Sequence, residues 1–474
     1  MKKTKIIATV GPVTESEDQL IALYNAWVNI IRFNFSHANY EVARAIMGRI
    51  RKLNNEGKTN LSTLLDTKGP DIRTGDLESK IQFEKGDKIK IYTDIIKFNN
   101  DGISLFCDYP YLVEDVNIGQ AIEIDSGLFN VEVTQKTPDY ILVLAKNSCL
   151  IGSRRHVNLP GVRLRLPGIT EQDHKDVLFS IEEKYDFIAM SFVRNRANVE
   201  ELRTILRENN ASHIKIISKI ENQEGIENLD EIILASDGVM VARGDLGIEV
   251  PIQKLPVYQR EIVKKSMAQW KFVIVATHLL ETMIENPFPT RAEVSDIFNC
   301  VRQRADCTML SGETTIGKYP IKAVEMMTAV IDEAEANMAY EHKDFSDEWL
   351  CKTDIEKKHL IKSALVMSES LGIRAVLIFT KSGLLARLAA AFRPSQEVYA
   401  FTMKECSVRY MNALFGIRPV LLPNWTENPG DNLDNAIILL KEKNLLQAGD
   451  RIVAVSDIEK VGTHIPVMEI ITIE

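Results

Sequence analysis

The feature that most constrains this chain is a repeated alternation of short buried-strand runs and amphipathic helical stretches. The runs are Lys5–Thr9, Asn29–Phe33, Ser62–Leu65, Phe187–Met190, Lys215–Ser218, Gly238–Val241, Val273–Ala276 and Cys307–Leu310. Each is nearly continuous in apolar residues, as a parallel strand covered on both faces must be. Eight β-units alternating with helices predict a (β/α)8 barrel, that is, a TIM barrel. The rhythm fails once, between the third and fourth strands. From Lys68 to His156 it gives way to short alternating segments (Ile81–Phe83, Lys88–Tyr92, Ala121–Asp125, Asn130–Val133, Tyr140–Leu144) broken by Gly, Asp and Pro. That pattern predicts a small inserted all-β lid domain, a β-barrel over 68–156, with Gly69-Pro70 and Asn158–Gly161 as hinges. It would leave from the strand end where barrel active sites lie, which suits a mobile lid. After about Tyr340 the strand-helix rhythm restarts through Ala375–Phe379, Val398–Thr402, Ile417–Leu422 and Arg451–Val455, predicting a C-terminal open α/β domain. The expected division is therefore 1–67 with 157–340, 68–156, and 341–474.

Charge and composition narrow the function. A formal net charge of −9 over 474 residues, with basic residues dispersed, leaves no basic face for nucleic acid. The six cysteines show no CxxC spacing and read as reduced, mostly buried thiols. The apolar run near the N-terminus is too short for a signal sequence, and no segment approaches the ~18 apolar residues of a membrane span. A soluble, cytoplasmic protein is expected, with no membrane partner.

Nearly every predicted barrel strand runs into polar residues at its C-terminal end. These are Arg32 to His37, Asp66 to Arg73, Ser191 and Arg194, Lys219 and Glu221, Arg243 to Asp245, Thr277 and His278, and Ser311 to Thr314. Polar groups gathered at that face read as a site. Lys219 and Glu221, two apart, share a face if the strand persists, and Asp245 follows the next strand. One ammonium between two carboxylates suits a divalent ion holding an anionic substrate, although an isolated trio of this kind is more often a surface salt bridge. Arg32 and Arg73 suit bidentate phosphate binding, with ordinary ion pairs as the alternative. Asn34, Ser36, Asp66 and the Thr67 carbonyl are hard oxygen ligands suited to a monovalent or weakly bound cation, or else simple turn caps. Ala242-Arg243-Gly244-Asp245 opens a helix whose free amides could hold a carboxylate, with Gly244 allowing close approach.

With these residues in place, the sequence closely resembles the pyruvate kinases. The matching segments are Thr4-Lys-Ile6…Gly11-Pro12, Arg32–His37, Asp66–Pro70 with Ile72–Gly75, Ile216–Asn222, Met240–Gly247, Pro289–Asp296 and Met309–Thr314. The resemblance implies phosphoryl transfer from phosphoenolpyruvate to ADP, a C-terminal regulatory domain and a homotetramer. It implies that Lys219 neutralises the transferring phosphoryl group and the enolate oxygen, while Glu221 and Asp245 hold Mg2+ or Mn2+. The substrate carboxylate would lie at Gly244, and Thr277 beside the methylene carbon that is protonated after transfer. Arg32 and Arg73 would grip phosphates, with Asn34, Ser36, His37 and Arg73 facing the nucleotide and Ser311 near the proton path. K+ would sit at Asn34, Ser36, Asp66 and Thr67. K+-independent relatives tend to carry Lys where this chain has the acidic Asp71, so K+ dependence is expected.

Departures from the family pattern are Asn195 for a Lys that reaches nucleotide, His156 for a hinge Gly, Arg165 for an Asp, His278 for a Gln and Arg304 for a Gly. Thr380–Gly383 resembles the start of the family's effector-phosphate loop, but Leu384 and Leu385 follow it. A phosphorylated effector and a ligand-free turn are both open there. A catalytically silent sensor would need a missing catalytic group, and a related metal-dependent lyase would leave the lid and paired arginines without a task.

Overall fold

The computed structural model describes residues 2–36, 39–98, 103–338, 345–460 and 463–474. Eight parallel strands close into a barrel in the order first, eighth, seventh, sixth, fifth, fourth, third, second. They are Lys5–Thr9, Val28–Asn34, Ser62–Asp66, Phe187–Met190, Lys215–Ile220, Gly238–Ala242, Phe272–Ala276 and Cys307–Leu310. Four of them run one or two residues beyond the predicted C-terminal ends. That extension keeps Lys219 inside its strand and sets Asn34 directly opposite Asp66 in the ladder.

The barrel interior is filled by Ile7, Ile30, Leu64, Phe187, Ile217, Met240, Ile274 and Met309. At the bottom it is plugged by the Phe187 and Phe272 rings, whose centroids are 6.0 Å apart. Gly238 makes this possible, because a Cβ there would lie 2.3 Å from the Phe272 ring. The plug is continuous with the C-terminal domain through Tyr410, 6.2 Å from Phe272. An ion pair crosses the same junction: Arg393 Nη1 meets Asp306 Oδ1 at 2.7 Å, with both side chains almost wholly buried.

The insertion has its own core around Ile89, Ile91, Leu105, Ile122, Phe129, Val131 and Val143. Six strands pair in the order Val157–Asn158, Ala121–Ile124, Phe129–Lys136, Tyr140–Ala145, Lys88–Tyr92, Ser104–Phe106, and Ile81–Phe83 pairs separately with Cys149–Ile151. This ladder does not close on itself among the described residues, and a four-residue helix, Leu112–Asp115, interrupts the β pattern. The connections to the barrel are themselves paired: Val157 N donates to Ile72 O and Thr74 N to Arg155 O, each at 2.8 Å. Gly69 supports the entry turn with φ of +72°, its amide held by Asp173 of the next helix at 3.0 Å.

The C-terminal sheet has the order Ile417–Leu421, Glu397–Thr402, Ala375–Phe379, Arg451–Lys460, Thr463–Thr472, and the last strand is antiparallel. That last strand is not among those predicted, and the helix Leu384–Ala391 begins after Gly383 in the left-handed region. All six cysteines are free, but Cys351 and Cys406 are exposed, a correction to the expectation that most would be buried. Among the described residues no helix is long and apolar enough to cross a membrane.

Candidate active site

Three adjacent strands of the barrel bring their C-terminal ends to one point. Lys219 Nζ lies 3.0 Å from Asp66 Oδ1 and 3.0 Å from Glu221 Oε1. It also donates to Ser191 Oγ at 2.7 Å. Asp66 ends the third strand, Ser191 follows the fourth and Lys219 lies on the fifth, so the serine stands between the aspartate and the lysine. Ser191 Oγ in turn donates to the Thr67 carbonyl at 2.6 Å. Burial opposes the charge on Lys219, but Asp66, Glu221 and Asp245 outweigh it and hold the ammonium above its ordinary pKa. Burial likewise opposes the charge on Asp66, yet Lys219 and Arg32 keep its carboxyl below the usual range. Arg32 Nε meets Asp66 Oδ2 at 2.7 Å, and its Nη1 donates to Thr9 Oγ1 at 3.0 Å. Arg32, expected to grip phosphate, is thus already oriented by one carboxylate.

Glu221 is fully buried. Its Oε2 accepts from Phe192 N at 2.6 Å, while Oε1, despite its contact with Lys219, lacks a well-directed hydrogen-bond donor. Burial pushes this carboxyl up, Lys219 pulls it down and Asp245 pushes it up again, leaving it above the ordinary carboxylate range. Asp245 is half-buried in the first turn of the helix Arg243–Glu249. Among the described residues no group of three or more His, Cys, Asp or Glu side chains is placed to hold a metal. Two carboxylates, one with an orphan buried oxygen, fit a hard divalent ion that takes its remaining ligands from substrate phosphate, carboxylate and water.

Gly244 N donates to Thr277 Oγ1 at 2.8 Å, so this amide, expected to face the substrate carboxylate, is engaged by the threonine. A Cβ on Gly244 would stand 3.5 Å from that oxygen and 3.8 Å from the His278 ring, in ordinary van der Waals contact with both. Thr277 and His278 have φ of +66° and +52°. A β-branched residue in that region is strained, and such strain gathers at functional sites. What over-determines the turn is Arg243. Its buried guanidinium donates to the carbonyls of Ala276 at 3.2 Å, Thr277 at 2.5 Å and His278 at 3.2 Å. It also pairs with Asp296 at 2.6 Å. In the sequence Arg243 reads as a polar strand end and a helix start; the signal for its wider role is Asp296, at the end of a matching motif.

The oxygens expected to hold a monovalent cation lie at the ends of the second and third strands and just beyond them. Asn34 Oδ1 accepts from Ser36 N at 3.3 Å, and the Thr67 carbonyl accepts from Ser191. Among the described residues each accepts this one hydrogen bond, and an amide or carbonyl oxygen has two lone pairs. His37, assigned to the nucleotide, lies outside the described residues. Beside Arg32 and Asn34 opens a cavity of 590 Å³ lined by Val10, Pro12, Val42, Ile46 and Ser311. Its apolar walls suit the flat face of a nucleobase or ribose. Arg73 stands at the lid connection. Its Nε meets Asp71 Oδ2 at 2.6 Å, and Lys68 meets Asp71 Oδ1 at 2.9 Å.

Two of the departures have local explanations. Asn195 caps the helix Arg196–Glu208 by accepting from Asn198 N at 3.2 Å. Arg165 is tied to Asp115 at 2.5 Å and Glu114 at 2.9 Å. In the C-terminal domain, Thr380 to Ser382, Leu384, Leu385, Thr353 and Trp425 line a cavity of 470 Å³, with Leu385 otherwise buried.

Comparison with known proteins bears on this geometry. The chain matches the family model "Pyruvate kinase, barrel domain" over residues 1–324 and "Pyruvate kinase, alpha/beta domain" over residues 358–471. It is 41% identical to a pyruvate kinase of Sporosarcina psychrophila, across 89% of this chain and 72% of that one. It is 37% identical to one of Eimeria tenella, across 100% and 90%. A crystal structure of a pyruvate kinase from Cryptosporidium parvum superposes with a TM-score of 0.92 at 36% identity, covering 100% of this chain and 96% of that one.

Proposed function

The chain belongs to the pyruvate kinase family, and on that premise we propose how its barrel mouth moves a phosphoryl group from phosphoenolpyruvate to ADP. The observation that carries the reading is the Lys219 ammonium, held within 3.0 Å of Asp66, Glu221 and Ser191 at the strand ends. In this transfer the enol P–O bond breaks as the ADP β-phosphate oxygen bonds to phosphorus, and the enolate is then protonated at its methylene carbon. Little covalent chemistry falls to the protein, so cations aligned on the moving charge do most of the catalysis. Lys219 stabilises the phosphoryl oxygens in flight and the enolate oxygen left behind. Arg32, braced by Asp66, and Arg73, braced by Asp71, hold phosphates.

Glu221 and Asp245 would hold Mg2+ or Mn2+, which when bound supplies positive charge for the substrate's carboxylate and enol oxygen. Asn34, Ser36, Asp66 and the Thr67 carbonyl would hold K+, whose charge adds to that of Arg32. Gly244, which has no side chain, lets the substrate carboxylate approach the backbone, and Thr277 flanks the methylene carbon. Asn34, Ser36, His37 and Arg73 face the nucleotide. In this reading residues 1–67 and 157–340 form the catalytic unit, 68–156 a lid, and 341–474 a regulatory unit whose 470 Å³ cavity takes a phosphorylated effector. The enzyme works as a cytoplasmic homotetramer.

The test is pyruvate release from phosphoenolpyruvate and ADP with Mg2+, comparing K+ with Na+. Turnover that collapses in Na+ is expected. Activity indifferent to the exchange would remove the K+ site and leave the kinase standing. No turnover in either salt by folded protein would refute the assignment.

A further inference from the structure

The lid connection carries a contact that phosphoryl transfer does not itself require. Arg73 and His156 are bridge partners on the two antiparallel crossings between barrel and lid. Across that bridge Arg73 Nη2 stands 2.7 Å from His156 Nε2. A guanidinium has donors only and stays protonated, so the imidazole nitrogen must accept. The contact therefore fixes His156 as the neutral tautomer with its proton on Nδ1. The same guanidinium donates through Nη1 to the Arg154 carbonyl at 3.0 Å and through Nε to Asp71. Three directions of the Arg73 fork are thus fixed, one of them by a group that can gain a proton near physiological pH.

We propose that His156 is a positioning residue for Arg73, holding the phosphate-binding guanidinium in place while neutral and releasing it when protonated. A proton on Nε2 removes the acceptor and sets two cations face to face at the hinge. The groups facing the ring are known from every side. Arg73 lies across the bridge; Asp71, 3.8 Å from Nδ1, and Lys68 come from the loop after the third strand. Asp245 contributes from the helix after the sixth strand. Glu249 and Arg163 share the cavity that His156 and Asp71 line. Burial and then Arg73 depress the basicity of His156, Asp71 and Asp245 oppose them, and the balance lies below the ordinary value of 6.5. As pH falls through that depressed value Arg73 Nη2 is freed while Nε and Nη1 keep Asp71 and the Arg154 carbonyl, so affinity for the phosphate it binds falls in acid. Above it the contact is intact and affinity is flat.

This rests on the reading of Arg73 as a phosphate ligand, and the test separates the two. KM for ADP and for phosphoenolpyruvate, with kcat, is measured between about pH 5 and 8 for the unmodified enzyme, His156→Gln, His156→Ala and Arg73→Ala. The unmodified enzyme is expected to lose about three- to tenfold in nucleotide KM at the acid end. His156→Gln keeps an acceptor that does not titrate, so its KM stays near the neutral-pH value of the unmodified enzyme throughout. His156→Ala shows the weakened KM at every pH. An acid limb identical in His156→Gln, or an unaltered KM in His156→Ala, overturns the inference while a raised KM in Arg73→Ala leaves that arginine's role standing. Unchanged KM values in Arg73→Ala sink that role and this inference with it.

Discussion

Replacing Lys219 by Met keeps most of the side-chain length and removes the charge. A unit negative charge at the 3.0 Å that Lys219 keeps from Asp66 and Glu221 gains about 5.5 kcal/mol at an effective dielectric of about 20. The moving phosphoryl group spreads its charge over three oxygens, and part of the attraction already exists in bound substrate. If about half is gained only at the transition state, the loss is about 3 kcal/mol, or on the order of 100-fold in kcat. Because the missing interaction is specific to the transition state, KM for phosphoenolpyruvate is expected to change less than about fivefold. Asp66 keeps Arg32 at 2.7 Å and Glu221 keeps the Phe192 amide at 2.6 Å, so the site should stay folded. Lys219→Arg is expected to be defective as well, since a flat fork cannot take the place of a point charge among three converging oxygens. The assay is steady-state pyruvate release, with near-ultraviolet circular dichroism to verify the fold. A folded Lys219→Met enzyme with kcat within tenfold of the original, or one losing only KM, would refute the reasoning.

Glu221 must be ionised to hold a divalent cation, and burial raises its carboxyl above the ordinary 4.5. Mn2+ affinity should therefore weaken as pH falls through that raised value, by up to about tenfold per unit, and level off above it; calorimetry would read this. Affinity independent of pH down to the ordinary carboxylate range would exclude the role. At the base of the barrel, Arg393→Met strands Asp306 with the backbone amides of Val273 at 3.0 Å and Phe415 at 3.3 Å as its remaining partners. Breaking one side of a buried pair costs about 3–5 kcal/mol, so the thermal midpoint should drop by several degrees, and an unshifted midpoint would show the pair to be dispensable.

What could be read from the sequence followed the range over which each signal acts. The barrel was legible because a strand buried on both faces needs an apolar run, and all eight such runs became strands. The Lys219–Glu221 contact was legible for a similar local reason, since residues two apart on a strand share a face. Ser191 was visible as a polar strand end, but its position between Asp66 and Lys219 depends on which strands are neighbours. The lid strands Ser104–Phe106 and Cys149–Ile151 lack the apolar–polar–apolar alternation that marks the equally short Ile81–Phe83. Thr463–Thr472 is the edge strand, paired among the described residues with Arg451–Lys460 alone, and its lack of a continuous apolar run hides it in the sequence.

The turn at Thr277 resisted sequence reading for a deeper reason. Propensity argues against a β-branched residue at φ of +66°, so a local reading would put glycine there or choose another backbone. The conformation persists because Arg243, from the preceding β-unit, holds three successive carbonyls, and Asp296, from the helix that follows the turn, neutralises the arginine. The strain follows the seventh strand while its support comes from two helices, Arg243–Glu249 and Arg291–Arg302, and that support does not appear in a window around Thr277. The same arrangement brings Thr277 Oγ1 onto the Gly244 amide. Here the sequence rule breaks because a longer-range network imposes the geometry the site uses, so the local misfit itself points to the active centre.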